Sequence, residues 1–230
     1  MAVSNLRRAN TGETSLEGRL AELSTARLSL ESVFSEEIKP LCDNYPFSQQ
    51  VHRGTIVYNE PSQYTPGRDI EVDFEYRDGS QLLILDLETD VNSVDRLAQS
   101  FADAIPAGFA VYRNLHVPED SLWSFLKQAD SIIEIRVLDQ GQEISYQEVD
   151  GVSREEVIGE YAIEKAEVGF IVDGHQIVVR YQQGSLQIDT DWPDGREYIC
   201  SCLNEKFLQK IANHGDERAF TLAITQTNTQ

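Results

Sequence analysis

The residues best placed to do chemistry lie in GRDIEVDFEYRDGSQLLILDLETD, residues 67–90. Its pattern predicts two strands joined by a two-residue turn at Asp78-Gly79. That register sets Asp69 against Glu88 and Glu71 against Asp86, crowding four carboxylates onto one patch of sheet. Like charges directly opposite each other destabilise a β-pair. Either a positive group sits among them, or the surroundings make crowded acid tolerable. Asp189, Asp191 and Asp194 form a smaller acidic group that reads as a cation site or as a solvated strand edge and turn.

Other chemistries lack their spacing. His52, His116, His175 and His214 show neither His-x-x-x-His nor His-Glu-x-x-His, so zinc is not expected. There is no Gly-x-Ser-x-Gly elbow, no Gly-x-x-x-x-Gly-Lys-Ser/Thr loop and no Gly-x-Gly-x-x-Gly run. Cys42, Cys200 and Cys202 lack the two-residue spacing of zinc knuckles and thioredoxin-like sites, and read as plain thiols. No cofactor is expected from the residues alone.

Charge narrows the setting. The 230 residues carry 39 acids against 19 bases, net −20, and only 5 of those bases are Lys. This composition resembles that of proteins from a cytoplasm holding molar salt, where the Debye length shrinks to about 3 Å and surface carboxylates tolerate one another. An acidic surface of this kind opposes broad nucleic-acid binding, which rests on Lys and Arg neutralising phosphates. No run of 18 apolar residues and no charged-then-apolar leader is present, so a soluble, cytoplasmic, non-membrane protein is expected. The acid is unevenly spread: residues 1–68 hold 7 bases and 8 acids, while residues 69–230 hold 12 and 31. The less acidic quarter also carries Tyr45, Phe47, Tyr58 and Tyr64 beside His52, Arg53 and Arg68, aromatic and guanidinium groups of the kind that anchor protein interfaces. The alternative is that the aromatics fill a core beneath a long loop.

The elements that would position these groups follow from periodicity. Residues 1–14 read as a frayed polar start. Thr14 and Glu17 have capping-box spacing, and Leu16, Leu20, Leu23, Leu30 and Phe34 recur at three and four, predicting a helix over 15–38. That stripe suits a core or a homo-oligomer contact. GTIVY at 54–58, the hairpin described above, a helix from about 94 with Ser93 or Asn92 as cap, and FAVYR at 109–113 come next. A helix opened by Pro118 closes a first module, 15–130. A strand-rich second module, 131–224, has turns at Gln140-Gly141, Asp173-Gly174 and Gln183-Gly184 and a helix from about 195, before a polar tail at 225–230. The fold class expected is α+β, a mixed sheet with an N-terminal helix. YRDGSQLLILDLETD at 76–90 is echoed by YQQGSLQIDTD at 181–191, each a tyrosine, a turn, a strand and terminal acids.

The predicted order of helix, three strands, helix and strand over residues 15–113, with acids on a hairpin, resembles the core of the PD-(D/E)xK, or restriction-endonuclease-like, superfamily. The resemblance implies that Asp69 or Glu71, together with Asp86, holds Mg²⁺, which activates a water for phosphodiester cleavage. The motif's lysine falls on Glu88, so the positive group that the reaction needs is missing from its place. The leading expectation is therefore a non-catalytic interaction or regulatory protein that meets a protein partner through its less acidic N-terminal region. The Mg²⁺-dependent nuclease is the alternative.

Overall fold

A computed structural model describes residues 3–10, 20, 23–38, 50–61, 67–88, 91–105, 109–115, 117–148, 157, 161–182 and 184–203. Among these residues eleven strands form one sheet, and every strand pair is antiparallel. In chain order these are β1 (Val3–Asn10), β2 (Leu28–Glu37), β3 (Gln50–Glu60), β4 (Arg68–Arg77), β5 (Leu82–Leu87), α1 (Val94–Ala104), β6 (Ala110–Val111), α2 (Glu119–Leu126), β7 (Ser131–Asp139), β8 (Gln142–Ser145), β9 (Ile163–Val172), β10 (His175–Gln182), β11 (Ser185–Thr190) and α3 (Gly195–Cys202). Across the sheet they run β2-β3-β4-β5-β1-β11-β10-β9-β7-β8, with β6 on the end of β1.

This corrects the expected α+β fold with its N-terminal helix. Residues 28–37 are strand β2, not the second half of a helix over 15–38. Leu28 and Leu30 face inward at a strand's spacing of two. Phe34 does not continue that inward row, because Glu31 pairs with Thr55 but Phe34 with Arg53, so β2 carries one extra residue at a β-bulge where Ser32 adopts φ 53°. A bulge resets the inward–outward alternation, so Leu30 and Phe34, four apart and on one face of the expected helix, lie on opposite faces of the strand. Leu16 and both residues of the proposed capping box, Thr14 and Glu17, lie outside the described residues.

The frayed start is also corrected over Val3–Asn10, which is the central strand. β1 pairs with β5 through Val3↔Leu87 to Arg8↔Leu82, and with β11 through Val3↔Asp189 to Leu6↔Leu186. Its polar sequence hides its burial because both arginines are provided for: Arg7 pairs with Asp95 at 3.1 Å, and Arg8 lies over the Tyr112 ring at 5.4 Å. The two sequence modules thus meet in one continuous sheet.

β5 and β11 flank β1 and run in the same direction, so a two-fold rotation about β1 combined with a shift of one residue along it exchanges them and turns the sheet over. Tyr76, Leu83, Leu85 and Asp86 of the first half then coincide with Tyr181, Leu186, Ile188 and Asp189 of the second. The echo between the two hairpins is therefore a structural equivalence. Its consequence is that the two cores lie on opposite faces. Leu83 and Leu85 pack with Leu97 and Phe101 of α1, whereas Leu186 and Ile188 pack with α2 and with Ile199 of α3. β5 serves both, sending Leu82 and Ile84 into the second core, which explains its unbroken apolar run LLILDL. Each half-sheet keeps one face not covered by its own helix.

The turns at Asp173-Gly174 and Gln140-Gly141 form as expected, with positive φ at both residues of each. These are the tight turns that suit the right-handed twist of a hairpin. Ser93 caps α1, its Oγ accepting from the Arg96 amide at 3.3 Å. No helix among the described residues is long and apolar enough to cross a membrane.

Candidate functional site

The acidic hairpin forms in a different register from the one expected. Asp78 to Gln81 make a four-residue connection, and Asp73 faces Asp86, with Phe74 opposite Leu85 and Arg77 opposite Leu82. The shift is of two residues, so each acid keeps its face but changes its neighbour. Asp69 lies opposite Asn59, whose amide donates to it at 2.7 Å, and Glu71 lies opposite Val57. Glu88 is exposed beyond the strand. Asp69, Glu71, Asp86 and Glu88 are not brought together, and among the described residues no three His, Cys, Asp or Glu side chains are grouped as metal ligands. Asp189 of the second acidic group is held by Arg180 at 3.0 Å.

A positive group does sit on the crowded patch, and it comes from the far end of the chain. On the outer face of β4, Glu75 is 1% exposed, yet three guanidiniums reach it. Arg53 Nε donates to Oε2 at 2.7 Å, Arg77 Nε to Oε1 at 2.6 Å, and Arg196 Nη2 to Oε2 at 2.9 Å. Each arginine keeps a second carboxylate: Glu36 for Arg53, Glu197 for Arg77 at 2.5 Å, and Asp86 for Arg196. Asp86 also accepts from the Ser4 hydroxyl, and Asp73 from Thr55 Oγ1 at 2.8 Å. Burial opposes ionisation of Glu75, but Arg77, Arg196 and Arg53 outweigh it and hold the carboxyl below its usual range. The opposed pair Asp73 and Asp86 is thus tolerated through separate partners.

Beside this cluster is a cleft of about 470 Å³, lined by Phe34, Arg53, Thr55, Asp73, Glu75 and Arg196 among others. Local sequence builds it. The bulge at Ser32 turns Phe34 away from the core that Leu28 and Leu30 enter, onto the outer face opposite Arg53, where it is 51% exposed. Re-aiming one side chain in this way is a recurrent use of bulges. Gly54 permits the close approach: a Cβ there would lie 3.0 Å from each of Glu31 O, Phe74 Cε1 and Val33 Cγ2.

Of the residues read as a partner surface, Arg53 lies in the cleft. Arg68 pairs with Glu60 at 2.9 Å and is half-exposed, while Tyr58 is buried in the first core. Tyr45, Phe47 and Tyr64 lie outside the described residues. His52 is buried against Ser35 and Asp78. Sequence reading missed Phe34, Glu75 and Arg196. Phe34 was hidden by the bulge, and Arg196 stands 110 residues from the acid it holds, with no local signal.

Cys200 of α3 packs beneath this cluster with no exposed surface. Burial pushes its thiol up to about 11, Arg77 and Arg196 opposing and Glu197 and Glu75 reinforcing the rise. Since the thiolate is the reactive form, iodoacetamide at pH 8 is expected to leave Cys200 unmodified in the folded protein and to modify it once denaturant is added, as read by peptide mass spectrometry.

No protein-family model matches this chain, and no curated protein is similar to it.

Proposed function

We propose that this is a non-catalytic interaction or regulatory protein of a salt-rich cytoplasm, and that its partner is a protein segment received at the Phe34–Arg53 cleft. The observation that carries the reading is the bulge at Ser32, which takes a large aromatic out of the core and leaves it half-exposed beside a guanidinium. Aromatic and arginine anchors of this kind dominate interface energies. Ser32, Phe34, Arg53, Gly54 and Thr55 belong to the less acidic first 68 residues, which supports the surface expected there.

The partner's chemistry follows from charge. Arg53 and Arg196 face Asp73, Glu75 and Asp86 in the cleft, and Asp69 and Glu71 continue the acidic row along β4. A segment with an apolar side chain flanked by Lys or Arg is complementary to it. The non-catalytic reading is supported by the carboxylates themselves. General acid catalysis near neutral pH needs a carboxyl whose pKa is raised, whereas Glu75 is lowered and Asp73 and Asp86 are both engaged in hydrogen bonds.

The test compares proteins that co-purify with the intact chain, its Phe34→Glu variant and an Ile171→Glu variant on another strand, where Ile171 is also exposed. The specific partner is expected to fall by at least about tenfold with Phe34→Glu alone, the loss of one anchor worth about 1.4 kcal/mol or more. Equal recovery with Phe34→Glu, or a loss confined to Ile171→Glu, overturns the assignment.

A further inference from the structure

A second cleft, of about 630 Å³, opens on the other face of the sheet, over the C-terminal half. Its charged lining is Arg7, Arg113, Lys165 and Arg180 against one acid, Asp95. On a chain of net charge −20 the gathering of four cations on one concave lining is distinctive, each of them also paired with a carboxylate among Asp95, Glu134, Glu167 and Asp189.

The two-fold relation explains why the cleft is open. Ser185 and Gln187 stand on β11 where Leu82 and Ile84 stand on β5, and those two leucine and isoleucine side chains are sealed within a core. Polar residues at the equivalent places leave the patch unsealed, lined by Ser185, Gln187, Gln182 and Asn114. Asp95 is shared between two guanidiniums. Arg7 Nη2 is 3.1 Å from Oδ1, and Arg113 Nη2 is 3.0 Å from Oδ2. Arg7 also donates to the Arg113 carbonyl at 2.6 Å, and its buried Nε has no hydrogen-bond partner among the described residues. The Arg7 side chain is 8% exposed, whereas that of Arg113 is 80% exposed at the rim while it holds Asp95. On the opposite wall Lys165 meets Glu134 at 2.7 Å, and Arg180 meets Glu167 and Asp189 at 3.2 and 3.0 Å.

We propose that this cleft binds a small phosphorylated ligand. Its phosphate oxygens are taken by Arg113 at the rim and by Arg7, Lys165 and Arg180 at the walls, and the amides of Asn114, Gln182 and Gln187 orient the remainder. Phosphate is favoured over a single carboxylate because planar guanidinium forks match its geometry and because its several oxygens can bridge cations that one carboxylate cannot span. The volume suits a ligand of metabolite size.

The probe is inorganic pyrophosphate, titrated by calorimetry into the intact chain and into an Arg113→Gln/Lys165→Gln double variant, each checked for its sheet signal by circular dichroism. The Arg113 side chain is 80% exposed and that of Lys165 37%, and neither enters a core, so the fold is expected to survive. Wild type is expected to bind saturably, and the double variant at least about tenfold more weakly, as loss of charge-assisted hydrogen bonds implies. Citrate serves as the carboxylate comparison. Absence of saturable binding by wild type, unchanged affinity in the folded double variant, or binding of citrate in preference to pyrophosphate would each overturn the proposal.

Discussion

Replacing Glu75 with leucine is expected to destabilise the protein by about 3 kcal/mol at neutral pH, near the lower end of the range for removing one partner of a buried ion pair. The lower end applies because each guanidinium that loses Glu75 keeps another carboxylate: Glu36 for Arg53, Glu197 for Arg77 and Asp86 for Arg196. The cost concentrates on Arg77, whose side chain is 3% exposed and cannot recover water. For a chain of this size each kcal/mol moves the midpoint by about 2–4 °C, so thermal unfolding should shift down by roughly 6–12 °C. A shift under about 2 °C would mean that the cluster is dispensable to the fold.

The same residue sets a pH dependence of definite sign. The carboxyl of Glu75 is lowered in the folded state, so its stabilising contribution is fully present above the ordinary carboxylate value of 4.5 and is lost as pH falls through the lowered folded value. The gap between wild type and Glu75→Leu should therefore be widest at neutral pH and close in acid. Urea unfolding at neutral pH and at successive pH values below 4.5 reads this directly. A gap that widens in acid would reverse the assignment of Glu75 as an ionised, arginine-held group.

How much of this was legible in the sequence depends on how local the cause was. The central position of β5 could be read from LLILDL, because burial on both faces removes the alternation that a half-exposed strand shows. Asp173-Gly174 and Gln140-Gly141 were legible because a two-residue turn is specified by its own two residues. Asp78-Gly79 misled for a related reason. The connection extends to Gln81, which takes φ 55°, and no rule confined to the dipeptide sees that. β2 was misread because Leu30 and Phe34, four apart, fit a helix face, whereas an inserted residue between them shifts the phase of the strand and sends them to opposite faces. The crowded acids were the sharpest signal and could not be resolved locally, since the cation that holds Asp86 is Arg196, 110 residues away. The charges of −1 over residues 1–68 and −19 over residues 69–230 likewise did not show that Arg7 of the first stretch and Arg113, Lys165 and Arg180 of the second would line one cleft.

A chain that begins at residue 11 is expected to lose its cooperative unfolding transition, although only a short polar stretch has been removed. β1 is the strand that joins β5 to β11, so its loss exposes two facing edges in the middle of the sheet. It also removes Leu6, which is fully buried against Ile84 and Leu186, and Arg7, which fixes Asp95 at the start of α1. A milder form separates packing from pairing. Leu6→Ala keeps the ladder and should cost about 2–5 kcal/mol for the buried cavity, a fall of roughly 4–20 °C in the midpoint. The truncated chain mixed with a synthetic peptide of residues 1–10 should regain a cooperative transition, because the vacant slot offers hydrogen-bonding edges on both sides. An unchanged melting curve for the truncated chain would mean that the halves associate without β1, and the two-fold arrangement about that strand would then not be what holds the sheet together.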